Sequence, residues 1–179
     1  MKVSVDYFQE VPRELAFCEP PDSFPVLAAM AESGGCSFVG PVQVHLSVSR
    51  EVDHYRVEGN VSVSVHQTCS RCLCTYDQEV LSRFTIFFRK ATTLMEDENE
   101  VELDEQDLIS ASFTGDEIDL LPEIGEQVAL AVPLKPLCSE SCKGLCPVCG
   151  IDLNTETCTC SREPLNVKFA ALQDFKVQR

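Results

Sequence analysis

The sequence has no long apolar run, no glycine-rich phosphate loop and few histidines. No apolar stretch approaches the roughly 18 residues of a membrane helix, and the opening MKVSVDYFQEVPREL has no apolar signal-peptide region. The three histidines fall on the polar side of predicted strands (His45, His66) or in a polar turn (His54), which favours solvent-facing over catalytic positions. No serine or cysteine lies in a recognisable nucleophile motif. We therefore expect a cytoplasmic protein with no membrane span and no enzymatic activity.

Positive charge is also scarce, and one long interval has none. The formal net charge is −15. No lysine or arginine lies between Lys90 and Lys135, whereas that interval contains thirteen acidic residues. An acidic segment repels phosphate backbones, so we do not expect it to contact nucleic acid. It predicts a solvated acidic loop at about 91–116, and the sharper hypothesis is a docking surface for a basic partner such as a ribosomal protein.

Three segments alternate apolar and polar residues, which predicts half-buried antiparallel strands. Their apolar positions are Val42, Val44, Leu46 and Val48; Val61, Val63 and Val65; and Phe84, Ile86 and Phe88. Lys2–Tyr7 is a further strand candidate, and Gly59 predicts a bend or bulge in the middle segment. We also expect a short helix at Phe24–Glu32.

A longer helix is predicted after the acidic loop. Apolar residues recur at helical spacing from Leu120 to Val132, and Asp119 is the predicted N-cap. The predicted fold class is α+β: an antiparallel β-meander covered by one main helix, with a cysteine-rich zinc-knuckle segment near the C-terminus. We divide the chain into a core at 1–136, a cysteine-rich metal-binding segment at 137–163 and a C-terminal tail at 164–179.

The abundant residue type is cysteine, with eleven in the chain. Without a signal peptide and with an odd number of cysteines, metal binding is favoured over disulfides. A tetrahedral all-thiolate zinc site takes four cysteines, usually as two short-spaced pairs. Eight of the cysteines form four such pairs: Cys69 with Cys72, Cys138 with Cys142, Cys146 with Cys149, and Cys158 with Cys160.

Loop length decides which pairs we expect to combine. Eight residues separate the last two pairs, and a short loop closes at little entropic cost. We therefore predict one zinc site, the C-terminal group, made of Cys146, Cys149, Cys158 and Cys160. The remaining pairs make a second predicted site, the hairpin group, of Cys69, Cys72, Cys138 and Cys142, which would staple the sheet to the end of the helix.

Other uses of these cysteines stay open. Cys138 and Cys142 would make a single zinc site if they joined Cys146 and Cys149. Iron or an iron–sulfur cluster also suits four thiolates but is disfavoured against zinc. A thioredoxin-like function for Cys69-Ser-Arg-Cys72 lacks a βαβ context. A site closed by four protein thiolates has no open position, so zinc would be structural. We expect the three other cysteines, Cys18, Cys36 and Cys74, to be small buried or partly buried apolar residues. Cys74 is close enough to Cys72 in the sequence to substitute for it as a ligand.

Four stretches resemble the YceD family of large ribosomal RNA subunit accumulation proteins. They are CSRCL at 69–73, EIDLLP at 117–122, LKPLC at 134–138 and CKGLCPVCGIDLN at 142–154, where Asn154 matches the family's asparagine after the knuckle. The resemblance extends from about residue 35 to the end. It implies a non-enzymatic bacterial cytoplasmic protein that is needed for normal levels of 23S ribosomal RNA, often encoded beside a gene for a large-subunit ribosomal protein.

Two routes to this role follow from the charge distribution. Direct contact with 23S ribosomal RNA or a large-subunit precursor would use local cations, since phosphate contacts need positive charge. The candidates are Arg71, Lys135, Lys143, Arg162 and Lys168, with Lys176 and Arg179 in the same tail. Indirect contact would use the acidic segment to hold a basic ribosomal protein. The alternative function is a zinc-stapled adaptor or thiol-redox protein that binds a basic protein partner unrelated to ribosomes.

Overall fold

The computed structural model describes residues 1–52, 54–91 and 110–160 and has an α+β fold. Seven strands and two α-helices follow one another along these residues: β1 (Lys2–Ser4), β2 (Arg13–Glu19), α1 (Pro25–Glu32), β3 (Ser37–Arg50), β4 (Tyr55–Thr68), β5 (Thr75–Lys90), β6 (Ser110–Phe113), β7 (Glu117–Asp119) and α2 (Leu121–Ala131). Within these described ranges, no helix has the length and apolar character that a membrane span requires.

The main sheet has five strands in the order β2-β3-β4-β5-β6. The first four strands pair antiparallel with their sequence neighbours, which is the predicted meander. The fifth strand, β6, lies parallel to the end of β5, and β1 and β7 form a separate two-stranded antiparallel ribbon. Residues 92–109 of the predicted acidic loop lie outside the described residues, and 110–113 of its range form β6 in the sheet.

One apolar face of the sheet packs against two helices, so the prediction of a single covering helix is not confirmed. The alternating valines of β3 and β4 are buried, and α2 contacts β4 and β5 while α1 contacts β3 and α2. The helices pack closely where a Cβ on Gly125 would lie 3.0 Å from Val26 Cγ1. Leu120 is the N-cap of α2, and Asp119 precedes it and accepts a hydrogen bond from the N–H of Leu121 at 3.2 Å.

The sequence predicted a bend or bulge at Gly59, and a bulge is excluded because β4 pairs with β5 without interruption through this residue. The glycine accommodates the ring of Phe84 instead: a Cβ added at Gly59 would lie 2.1 Å from that ring. The irregularity lies in β3, where the register with β4 shifts between Val39 and Gln43.

Two of the three histidines have the expected exposure, and His54 does not. His45 and His66 are exposed, and His66 Nδ1 lies 2.6 Å from the Asp77 carboxylate on the neighbouring strand. His54 is buried. Its ring packs edge-on against Phe87, and Nε2 lies 2.9 Å from a carboxylate oxygen of Glu51.

Candidate metal centres

Two groups of four cysteines have their sulfur atoms close together. The hairpin group brings together Cys69, Cys72, Cys138 and Cys142, and the C-terminal group brings together Cys146, Cys149, Cys158 and Cys160. Within each group all four Sγ atoms lie within 4.8 Å of one another. Each group could therefore hold one metal ion.

The sulfur separations in the hairpin group fit a tetrahedral ion. Four sulfurs bound at about 2.3 Å in a tetrahedron lie about 3.8 Å from one another. The Sγ atoms of Cys69 and Cys142 are 3.8 Å apart, and those of Cys72 and Cys138 are 3.6 Å apart. Three of the four cysteines are buried, and Cys138 lies nearer the surface. This arrangement is compatible with zinc in an all-thiolate site.

The first two cysteines of each group lie in turns with the same backbone hydrogen bonds. In the hairpin group, Cys69 N–H donates to Cys74 O at 2.8 Å and Leu73 N–H donates to Cys69 O at 3.0 Å. In the C-terminal group the corresponding bonds join Cys146 to Ile151 at 2.8 Å and Gly150 to Cys146 at 2.9 Å. The fifth residue of each turn has a positive φ, +61° at Leu73 and +73° at Gly150. The chain therefore builds the same knuckle twice.

The hairpin group joins two distant parts of the chain. Its first knuckle connects β4 to β5, and its other two cysteines follow α2. Ser70 N–H donates to Pro136 O at 2.8 Å, and the Arg71 guanidinium donates to the carbonyl oxygen of Cys142 at 2.9 Å. Cys142 is thus held to the hairpin by hydrogen bonds as well as by its sulfur.

Asn154 links the two groups. Its side-chain N–H donates to the Cys142 sulfur at 3.4 Å, and its Oδ1 accepts the backbone N–H of Lys143 at 2.8 Å. The same side chain also donates to Asp152 Oδ1 at 2.8 Å. Hydrogen bonds of this kind orient metal ligands and tune their basicity. Only the family resemblance pointed to Asn154 in the sequence. Cysteine spacing does not identify a residue that hydrogen-bonds to a metal ligand without binding the metal itself.

The environments of the thiols differ within each group. Backbone N–H groups, that of Cys138 foremost, lower the pKa of Cys69 to about 6. The backbone N–H groups of Cys149 and Val148 lower the pKa of Cys146 to about 6. A hydrogen bond with the Cys149 thiol raises the pKa of Cys160 to about 12. Without a metal ion, Cys69 and Cys146 thus lose their protons more readily than an ordinary cysteine, whereas Cys160 holds its proton, which a bound ion would displace.

The structure describes three of the predicted RNA-contacting residues. The Arg71 guanidinium is hydrogen-bonded to Cys142 O and, at 3.4 Å, to Glu140 O, so it braces the hairpin group. Lys135 and Lys143 are exposed, and neither ammonium group forms an ion pair with any residue in the described ranges. Arg162 and Lys168 lie outside the described residues, as do Lys176 and Arg179.

Two of the three remaining cysteines are more exposed than we expected. Cys18 and Cys74 are exposed, and Cys36 is partly buried, with burial raising the pKa of its thiol. Cys18 is exposed because it alternates with Phe17 on edge strand β2 and points to the other face of the sheet. Cys74 follows the first knuckle directly and has its Sγ 3.2 Å from that of Cys72.

Comparison with known proteins places most of the chain in one family. The family model described as large ribosomal RNA subunit accumulation protein YceD matches residues 57–176. This range contains all eight cysteines of the two groups. No solved structure matches the chain.

Two curated plant relatives carry the same description, and a bacterial relative is uncharacterized. An Arabidopsis thaliana protein named large ribosomal RNA subunit accumulation protein YCED homolog 1, chloroplastic, is 26% identical over 158 residues, which is 77% of this chain and 49% of the relative. Its Zea mays counterpart is 27% identical over 76% of this chain and 54% of the relative. An uncharacterized Mycobacterium bovis protein is 32% identical over 56% of this chain and 45% of its own length. The chain spans about half the length of these relatives.

Proposed function

Because this chain belongs to the YceD family, we propose that it is a non-enzymatic factor in the accumulation of 23S ribosomal RNA and in large ribosomal subunit biogenesis. The observation that carries the proposal is the extent of the family match. Residues 57–176 include nearly all of the long β4–β5 hairpin, α2 and both cysteine groups. What this chain shares with the family is therefore the part of the sheet from β4 to β6, with α2 and the candidate metal centres.

The metal has a structural role in this proposal. Zinc bound by four thiolates has no free coordination position, so it supplies folding energy rather than a reactive water. In the hairpin group it would hold the β4–β5 turn against the segment after α2, where hydrogen bonds from Ser70 and Arg71 already join the two parts. In the C-terminal group it would hold Cys158 and Cys160 against the knuckle of Cys146 and Cys149.

The direct route to ribosomal RNA uses the exposed cations near the cysteine groups. Lys135 lies shortly before Cys138, and Lys143 directly follows Cys142. Their ammonium groups form no ion pair with the described residues, so they are available to phosphate oxygens. Arg71 is a weaker candidate, because its guanidinium would have to leave the carbonyl oxygens of Cys142 and Glu140. Each phosphate contact would add to the salt dependence of binding.

The experiment is sedimentation of the tagged protein from a lysate of its native cells, with sequencing of the bound RNA. We expect it to migrate with large-subunit precursors and to carry 23S ribosomal RNA. We expect this association to weaken as salt is raised, because released counterions drive phosphate contacts. Migration only as a free small protein at every salt concentration would contradict the proposal.

Charge-reversed variants identify the contact surface. Lys135→Glu with Lys143→Glu should release the protein from the particles. The matched control is Lys2→Glu with Lys90→Glu, which changes the net charge equally. Lys2 lies in β1 and Lys90 pairs with Asp116 at 2.9 Å, away from the cysteine groups. Equal effects of the two double variants would refute a specific role of Lys135 and Lys143.

A second candidate function is a zinc-stapled adaptor for a basic protein. It is favoured by the acidic residues that surround the β1–β7 ribbon, because the Asp116 side chain is 89% exposed and Glu117 and Asp119 follow it in the chain. Co-purification of basic proteins from ribonuclease-treated lysate, without large-subunit precursors, would favour this adaptor over the ribosomal factor. A basic ribosomal protein among them would connect the two functions.

A further inference from the structure

Cys74 is a fifth thiol beside the hairpin group. Its Sγ lies 3.2 Å from Cys72 Sγ, which is closer than the 3.6 Å between Cys72 and Cys138 or the 3.8 Å between Cys69 and Cys142. Sulfurs that share a tetrahedral zinc ion lie about 3.8 Å apart. Cys74 therefore contacts one ligand without taking a ligand's position. Cys74 is exposed while Cys72 is buried, so a small oxidant would meet Cys74 first.

The second knuckle provides an internal comparison. Backbone hydrogen bonds make Ile151 the counterpart of Cys74, since Cys69 pairs with Cys74 as Cys146 pairs with Ile151. The C-terminal group thus has its four cysteines and no extra thiol in this position. All eleven cysteines lie in the described part of the chain, and the other two outside the groups are in β2 and just before β3. Any chemistry that needs a fifth thiol is confined to the hairpin group.

We propose that Cys74 is an oxidative modification site, at which a peroxide converts Cys72 and Cys74 to a disulfide and so releases the metal ion of the hairpin group. The inference goes beyond the proposed function, and it rests on that function only in that the hairpin group holds a metal ion. It assigns Cys74 a chemical role that Ile151 cannot perform.

The reaction consumes one peroxide and two thiols. The Cys74 sulfur attacks the O–O bond, takes one oxygen as sulfenic acid and releases the other oxygen as water. The Cys72 thiolate then attacks the Cys74 sulfur, the S–S bond forms, and the sulfenic oxygen leaves as a second water after protonation. The two sulfurs lose two electrons in total, and the peroxide gains them. Cys72 would then no longer be available as a ligand, and a metal ion held by the remaining three cysteines would dissociate without a change of oxidation state.

The geometry asks for a small movement. A disulfide requires about 2.05 Å between the sulfurs, so the two Sγ atoms must approach by roughly 1.1 Å. The backbone of Cys74 is held by the hydrogen bond that its carbonyl accepts from Cys69. Once Cys72 is oxidised, Cys69, Cys138 and Cys142 remain as three thiols. Hydrogen bonds, including those of Ser70 and Arg71, then connect the β4–β5 turn to the segment after α2 without the metal ion.

The test treats the zinc-loaded full chain with hydrogen peroxide and follows zinc with a chromogenic chelator. Trypsin cleaves after Arg71 and Arg83, so residues 72–83 form one peptide that contains Cys72 and Cys74 but not Cys69. We expect release of one of two bound zinc ions. We expect this peptide to be lighter by two hydrogen atoms and to resist alkylation until a thiol reductant is added. Reduction with added zinc should restore both ions.

Cys74→Ser is the first control, and Cys74→Ile is the second because it installs the residue of the other knuckle. Both should bind zinc as the parent does, and both should release it at least about tenfold more slowly, since no neighbouring thiol can close the disulfide. Equal release rates in all three proteins would overturn the inference, as would released zinc with Cys72 and Cys74 still alkylatable. A parent protein without zinc would instead refute metal occupancy, and the peptide assay would still decide whether the disulfide forms.

Discussion

Gly144 provides a sharp test of how the hairpin group is assembled. It lies between the last cysteine of the hairpin group and the first of the C-terminal group, with φ +72°. A Cβ there would lie 2.9 Å from the carbonyl oxygen of Arg71, which also accepts the N–H of Leu145 at 3.1 Å. Gly150 has nearly the same φ, +73°, but no heavy atom within 4 Å of its added Cβ. Gly150→Ala therefore measures the cost of backbone strain alone, and Gly144→Ala measures the same strain together with the collision with Arg71.

The magnitudes follow from these two environments. Left-handed backbone with a Cβ costs about 1–2 kcal/mol, so Gly150→Ala should destabilise the zinc-loaded protein by about 1 kcal/mol. Gly144→Ala carries the same strain. It must also push a carbonyl that is already hydrogen-bonded, which adds roughly 1 kcal/mol or more. We therefore expect about 2–3 kcal/mol for Gly144→Ala, together with weaker zinc binding by the hairpin group, because Cys142 shifts relative to Arg71.

Urea unfolding at fixed free zinc measures the stabilities, and a chelator competition measures the zinc affinities. Holding free zinc constant is necessary because bound metal contributes to the measured free energy of unfolding. If the two alanine variants lose the same stability, or if Gly150→Ala loses more, the close approach of Gly144 to Arg71 does not support the hairpin group and the reasoning fails.

Three further predictions concern single side chains. Cys146→Ser should release one zinc ion and destabilise only the C-terminal segment, and unchanged zinc content by mass spectrometry would exclude this grouping. Leu73→Gly should change stability in thermal melts by less than about 1 kcal/mol, because relief of left-handed strain offsets the greater freedom of unfolded glycine; a larger loss would mean that the Leu73 side chain packs. Desolvation, and then the Glu126 charge, raise the pKa of Glu123 above 4.5. The folded state therefore holds the Glu123 proton more tightly, and stability from it is lost as pH rises through the raised pKa. Glu123→Gln should raise the melting temperature at pH 7 but not at pH 3. If the variant and the parent protein melt at the same temperature at pH 7 as well as at pH 3, the prediction is wrong.

The sequence predicts those parts of the fold that repeat locally. Alternation along β3, β4 and β5 marks the meander because each of these strands buries one face. The short α1, which forms at Pro25–Glu32, is predicted as well, over residues 24–32. The edge strand β2 is missed because exposed Ala16 and Cys18 blur its alternation. The strands β6 and β7 are too short for a periodic signal, and their partners β5 and β1 are distant in sequence.

In the candidate site, too, the sequence predicts some features and misses others. Pairs such as Cys69 and Cys72 are visible because a knuckle needs short spacing. Loop length alone indicates which pairs combine, and the structure brings the sulfurs together in those combinations. The hydrogen bonds that hold the cysteines in place cannot be predicted from their spacing. Arg71 is a candidate for RNA contact by charge, yet its guanidinium donates to backbone carbonyls, which depends on the packing of residues about seventy positions apart. The position of His54 is also set by packing, against Phe87.

Native mass spectrometry of the full chain, with and without prior alkylation, tests whether two four-thiolate centres hold this molecule together. We expect two zinc ions per chain and protection of the eight grouped cysteines, with alkylation confined to Cys18, Cys36 and Cys74. Chelation should remove the ions and expose all eleven thiols. A chain that retains one ion or none, or that alkylates within both groups while zinc is bound, would contradict this expectation.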